Sequence, residues 1–304
     1  MKDAPLPADP VFIVGHWRTG STYLHQLMNL DADFIAPTLF QVALPEHFLV
    51  SHTFYKPIFA SIMGTSRPMD NVHIGMDEPQ EDEYALFRLT GFSPLSHLVF
   101  PRKQGYFLEH TKFTPDPPTL AEYEKELSLF FKKLHFISGK RIVSKNPFNS
   151  FRIPLLVKLF PKAQFIHIVR HPYAVVPSTD NLWQILQRQN RLNRQDPLSD
   201  LEAITIFLER LTTTVQSEFS RLPAGRKFEV RYEDLEADPV GTLRSVYAAL
   251  QITFSTGTEK NVGRFLVENA GFRKNRYLLS PAEKKMIGKI MSHHMNRYLY
   301  PENV

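Results

Sequence analysis

The strongest constraint on the fold lies near the start of the chain. Val11-Phe12-Ile13-Val14 is a continuous apolar run that stops at Gly15, and a helical pattern, Tyr23-Leu24-His25-Gln26-Leu27-Met28, begins just after Gly20-Ser21-Thr22. A short apolar run bounded by breakers reads as a strand covered on both faces. Leu24, Leu27 and Met28 recur at helical spacing and give the next element one apolar side. A strand that passes through a glycine-bracketed loop straight into a helix commits the chain to an α/β architecture.

The rest of the sequence repeats that alternation. Arg141–Ser144, Gln164–Val169 and Phe228–Tyr232 read as further strands. Helical patterns cover Glu81–Leu89, Leu120–Ile137 with Gly139 as its stop, the Leu155, Leu156 and Leu159 stretch with Ser150 as its cap, a segment from near Tyr173, Leu201–Leu222 and Val240–Leu250. The expected fold is a three-layer, P-loop-like α/β fold with a central parallel sheet flanked by helices. No repeat, low-complexity tract or linker divides it. One domain over 1–304 is expected, with residues 31–138 as a helical or irregular insertion rich in Phe, Tyr and Pro.

Composition narrows the chemistry. The chain has 304 residues and no cysteine, which removes disulfides, thiolate metal sites and a thiol nucleophile. No run of about 18 apolar residues occurs, so no membrane-spanning helix is expected. With no signal-like stretch at the start either, a cytoplasmic location is expected, with docking on a membrane surface left open. The net charge of +5 suits anionic small molecules, but no basic run argues for nucleic acid. No ligand-type spacing of His and carboxylates is seen, so no metal is expected; His25 reads as a helix residue and His293-His294 as surface.

The first loop has the glycine spacing of a phosphate loop: Gly15, four residues, Gly20. Backbone N–H groups turned inward, together with the positive end of the following helix, bind a phosphate. A nucleoside-triphosphatase loop places Lys after the second glycine. Here Ser21 takes that place, Thr22 follows, and the cation sits inside the loop as Arg18. Such a loop is poorly built for phosphoryl transfer from ATP and suits a shorter 5′-linked anion.

Phe12 through Leu24, with Arg18, Thr19, Gly20, Ser21 and Thr22 at its centre, resembles the 5′-phosphosulfate loop of sulfotransferases that use 3′-phosphoadenosine 5′-phosphosulfate (PAPS), in particular the bacterial-type family. Phe165 through Ser178 resembles that family's 3′-phosphate motif, in which an Arg at a strand end and a Ser eight residues later hold the phosphate; these map onto Arg170 and Ser178. A guanidinium with a hydroxyl farther along the next helix suits phosphate binding on chemical grounds. Tyr232-Glu233-Asp234-Leu235 with Asp238-Pro239 resembles a further family segment. Gly271-Phe272-Arg273-Lys274 resembles the loop that closes over the 3′-phosphate, with Asn275 in place of its Gly, and Tyr23 takes the place of an aromatic near the adenine. The resemblance implies PAPS as co-substrate, PAP as product and no metal.

Related enzymes place a Lys where Lys145 stands, in Ser144-Lys145-Asn146-Pro147, reaching the transferred group. Some carry a His two residues later; Pro147 occupies that position, so no His base acts there. Other branches use a Glu. Candidates are Glu81, which resembles the Glu of a recurrent "PxE" segment, then Glu46, then His47 and His73. Most of the acidic cluster from Asp77 to Glu83 reads as a solvated helix start favoured by the helix dipole. The expected function is transfer of a sulfuryl group to a hydroxyl of a small, apolar or lipid-like acceptor bound by the 31–138 insertion. The alternatives are a P-loop nucleotide kinase or ATPase, and a non-catalytic phospho-ligand-binding protein.

Overall fold

A computed structural model describes residues 4–62, 75–99, 107–190, 192, 200–271, 275 and 277–301. Its centre is a five-stranded sheet in the order β2-β3-β1-β4-β5, formed by β1 (Val11–Val14), β2 (Phe34–Ile35), β3 (Arg141–Lys145), β4 (Gln164–Val169) and β5 (Lys227–Arg231). Every pairing is parallel; Ile13 of β1 stands beside Lys145 of β3 and Ile166 of β4. Parallel strands need long crossovers, and these are helical. The outcome is the expected three-layer α/β fold.

Period-two alternation sends the side chains of β1 into two cores. Phe12 and Val14 face one side, among Phe131 of the helix Pro117–Ser138 and Phe207 of the helix Leu201–Arg221. Val11 and Ile13 face the other, against Leu24, Leu27 and Met28 of the helix Ser21–Asn29. All four β1 residues are at most 1% exposed, which accounts for the unbroken apolar run.

Three local expectations need correction. A fifth strand exists: β2 is only two residues long, too short for a periodic signal. Ser150 does not cap the helix Ile153–Leu159; that position falls to Arg152. Ser150 lies in the preceding 3₁₀ turn, where its Oγ accepts from the Gly15 backbone N–H at 3.1 Å and ties β3's exit to the β1 loop. His294 is buried, at 4% exposure, among Tyr298 and Tyr300 rather than on the surface.

The 31–138 stretch is woven into the sheet at both ends. Phe34–Ile35 supply β2, and the helix Pro117–Ser138 packs Phe131 on Phe12 with ring centroids 5.8 Å apart. Its described middle carries the helices Leu39–Ala43, Phe48–Ile62 and Asp82–Thr90. Gly139 ends the Pro117–Ser138 helix in a left-handed conformation, as read from the sequence.

Candidate active site

In a parallel sheet all strand C-termini lie at one edge, so the loops after β1, β3 and β4 meet there. The order β3-β1-β4 makes these three strands neighbours. A cavity of about 1630 Å³ opens at that edge.

The β1 loop forms one wall. Gly15 has φ +134° and a Cβ there would sit 2.5 Å from the Ile168 carbonyl oxygen; Gly20 has φ +90° and a Cβ would sit 2.1 Å from the Tyr232 ring. Both positions therefore require glycine. Arg18 adopts φ 66°. Arg18, Gly20, Ser21, Thr22 and Tyr23 line the cavity. Thr19 does not: its Oγ1 donates to the His16 carbonyl at 2.6 Å and braces the loop from within. His16 is buried, and burial lowers its pKa to about 4, so its ring is neutral and its Nδ1 donates to the Trp17 carbonyl.

Arg170 and Ser178 line the same cavity. Arg18 Nε donates to Ser178 Oγ at 2.8 Å, and Arg170 Nη1 donates to the Arg18 carbonyl at 3.0 Å. The two arginines thus meet in one continuous basic wall. The Arg170 guanidinium also lies over the Tyr232 ring, 4.3 Å from its centroid. The Tyr232-Glu233 segment, which also lines the cavity, braces this wall. Glu233 accepts from the His171 backbone N–H at 3.0 Å, at the entrance to the helix Pro172–Asn190, and from Tyr300 Oη at 3.0 Å. Arg273 and Lys274 lie outside the described residues.

Lys145, the last residue of β3, makes a buried ion pair with Glu81 inside the cavity; the two are 5% and 6% exposed. Glu81 immediately precedes the helix Asp82–Thr90. The next two residues depart from the sequence reading. Asp82 and Glu83 are fully buried rather than solvated, because each finds several donors. Asp82 accepts from Ser144 Oγ at 2.6 Å and Asn146 Nδ2 at 2.7 Å, the residues on either side of Lys145. Asn146 Nδ2 also donates to Glu83 at 2.7 Å, and Arg152 clasps both Glu83 oxygens at 2.5 and 3.0 Å. Burial, with the neighbouring Glu83 charge adding to it, raises the Asp82 pKa to about 6 despite its hydrogen bonds. Burial pushes Glu83 the same way, but the Arg152 charge and its hydrogen bonds reverse this and leave Glu83 below its ordinary value. Arg152 is covered by Phe113 and Tyr123, each ring centroid 4.9 Å from its guanidinium. The network clamps the helix start to β3's exit and so fixes Glu81 against Lys145. Its sequence signal is weak, since adjacent carboxylates usually mark a helix N-terminus in water.

The other candidates lie elsewhere. Glu46 is not among the cavity-lining residues and pairs with Arg88 at 3.0 Å, in a turn whose Pro45 and Glu46 carbonyls are held by Lys133 Nζ. His47 is exposed and does not line the cavity, and His73 lies outside the described residues. His25 is buried behind β3, its Nε2 donating to the Val143 carbonyl at 3.1 Å; burial first, and then the Lys145 charge, lower its pKa to about 3. His97, Glu109 and His110 come together in a group the sequence does not signal, with ligand-type atoms within 4.8 Å of one another and a 2.6 Å contact between His97 Nε2 and Glu109. Trp17, Trp183, Leu182, Leu186 and Leu95 contribute to the cavity's apolar lining.

A lysine-free glycine loop, a basic wall of two linked arginines and a buried Lys–carboxylate pair thus share one cavity at the C-terminal edge of the parallel sheet. A sequence profile described as "Sulfotransferase family" matches residues 10–256, and the chain belongs to that family. Among individual relatives, it is 32% identical over 299 residues to the omega-hydroxy-beta-dihydromenaquinone-9 sulfotransferase Stf3 of Mycobacterium bovis, covering 96% of this chain and 75% of that protein. The same values hold for the Mycobacterium tuberculosis protein of that name. The fold is similar to that of sulfotransferase STF9 from Mycobacterium avium, with TM-score 0.75, 19% identity and coverage of 97% of this chain and 78% of that one. It is also similar to sulfotransferase STF1 from Mycobacterium tuberculosis, with TM-score 0.61, 17% identity and coverage of 95% and 78%.

Proposed function

We propose that this sulfotransferase moves the sulfuryl group of PAPS to a hydroxyl of a lipid-like acceptor. The observation that carries the reading is the meeting of Arg18, Arg170 and Ser178 on one cavity wall, beside the Lys145–Glu81 pair. Three cations and the hydroxyls of Ser21, Thr22 and Ser178 suit a donor with phosphates at both ends of a nucleoside. PAPS supplies an activated sulfuryl group. Arg18, the loop amides and the first turn of the helix Ser21–Asn29 hold the 5′ end and stabilise the charge that develops there. Arg170 and Ser178 hold the 3′-phosphate, and Tyr23, beside Phe265, serves the adenine. Lys145 neutralises charge on the transferred group. Glu81 accepts the proton of the acceptor hydroxyl, whose oxygen forms the new S–O bond as the bond to the 5′-phosphate breaks.

The acceptor side is built from Glu78, Gln80, Tyr84 and Leu95 of the 31–138 stretch and from Trp17, Leu182, Trp183 and Leu186. An apolar wall with a few polar groups suits a hydrophobic body bearing one hydroxyl. The menaquinone named for the curated relatives has that character.

Calorimetry with PAP tests the donor site. Arg170→Ala and Ser178→Ala should each weaken binding about tenfold or more. Parent-like affinity in both would refute the 3′-phosphate assignment. A screen of lipid and small alcohols with radiolabelled PAPS identifies the acceptor. Glu81→Gln should then lower kcat roughly 10²-fold or more with little change in KM for PAPS.

A further inference from the structure

The helix Phe48–Ile62 stands out among the described helices. Its root is anchored: Phe48 is 3% exposed and packs on Phe130. Beyond Ser51 the helix leaves the body. From residue 52 to residue 61 every position is exposed except Lys56, which is half-buried. Val50, Phe54, Tyr55, Ile58 and Phe59 are all large and open, Val50 at 79% and Phe54 at 75% exposure. Such a concentration of exposed apolar side chains marks a contact surface.

We infer that this helix inserts into the surface of a lipid bilayer and sets the cavity mouth against it. The inference deepens the lipid-acceptor reading and rests on it. Three observations choose a bilayer over a second protein. First, the stretch from 52 to 61 spans nearly three helical turns, so its exposure, broken only at Lys56, runs round almost the whole circumference. A fluid apolar phase wraps all sides of a helix, whereas a second copy covers one. Second, the helix carries no acidic residue, and its one Lys, Lys56, pairs with Asp77. With a net charge of +5 the chain meets no general repulsion from anionic headgroups. Third, Asp77 directly precedes Glu78, which lines the cavity. The helix is therefore tethered at the cavity rim, where an acceptor drawn from a membrane would enter. At 15 residues it is about 22 Å long, too short to cross a hydrocarbon core. Among the described residues no helix is long and apolar enough to do so. A helix of that length, apolar on nearly all sides, dips into one leaflet without crossing it.

The test is co-sedimentation of the full chain with vesicles of phosphatidylcholine and phosphatidylglycerol, with PAP calorimetry on the same preparation. The parent should partition onto vesicles. A Phe54→Asp, Ile58→Asp double variant, altered only at exposed positions, should lose at least about tenfold of that partition while keeping parent-like PAP affinity. Unaltered partition in the double variant, or no partition of a PAP-binding parent, overturns the docking proposal and leaves the sulfotransferase reading standing. A parent that partitions but does not bind PAP overturns the donor reading instead. A dimer in analytical ultracentrifugation that the double variant abolishes, without vesicle binding, assigns the helix to a second copy and also overturns the proposal.

Discussion

The buried Arg152–Glu83 pair gives the most discriminating test of how the site is held. Arg152 is 2% and Glu83 0% exposed at the side chain, so removing either partner strands the other away from water. The two strandings differ. Arginine keeps its charge at any accessible pH. Glu83→Gln therefore strips a buried cation of its paired carboxylate and should cost about 3–5 kcal/mol at both pH 5 and pH 8. In Arg152→Leu the stranded group is a carboxyl, which escapes by taking up a proton. Its folded pKa then rises above the unfolded value of about 4.3. The penalty is absent below that value and grows as pH increases, to about 3 kcal/mol or more at pH 8. In the parent the sign is opposite: Glu83 is held below its ordinary value, so its stabilisation is present above the unfolded pKa and is lost in acid. Urea denaturation at pH 5 and pH 8 measures both variants, read as a change in midpoint at constant slope. A cost below about 1 kcal/mol for Glu83→Gln, or a pH-independent cost for Arg152→Leu, would refute the argument.

Further expectations concern the loop, the network and the core. Gly20→Ala should cost at least ~2 kcal/mol and sharply weaken PAP binding, because its φ of +90° disfavours a side chain and the Tyr232 ring occupies the space; thermal unfolding and calorimetry measure it. Asp82, raised by burial to about 6, favours the folded state more at low pH, and this contribution is lost as pH rises from the ordinary carboxylate range to about 6. The stability difference between the parent and Asp82→Asn should therefore change between pH 4 and pH 6 and level off above it; a flat difference in urea titrations contradicts the assignment. Phe12→Ala, at the meeting point of Phe131, Phe160 and Phe165, should lower stability by about 3–5 kcal/mol in the same assay.

Periodicity carries much of the scaffold. β1 and β4 have the bounds read from the sequence, and β3 and β5 lie within a residue of theirs, because β1 is an unbroken apolar run buried on both faces and the other three set apolar residues between polar flanks. β2 leaves no such trace in two residues, and Ser150 has the polarity of a helix cap while serving the neighbouring loop. At the site, the placement of Arg18, Arg170 and Ser178 in one cavity is legible because each follows a strand end or lies on the next helix. Glu46 shares a residue type with Glu81 but not a location, since its turn is fastened to Lys133 and its side chain to Arg88. Asp82 and Glu83 read as surface because most of their donors, Ser144, Asn146 and Arg152, lie more than 60 positions away in sequence, with only Ser93 near at hand. Local patterns do not encode partners at that distance.

The Tyr232 ring stands where a Cβ of Gly20 would be and beneath the Arg170 guanidinium, so the earliest-made loop of the proposed donor site is completed by a residue that follows β5. During synthesis the ribosome releases Gly20 more than 200 residues before Tyr232. A nascent chain has its first strand and loop long before it has a finished donor pocket. On the proposed reading, competence to grip the donor arrives late, once the β5 edge docks, and truncation products ending before that point should be unable to sequester PAP.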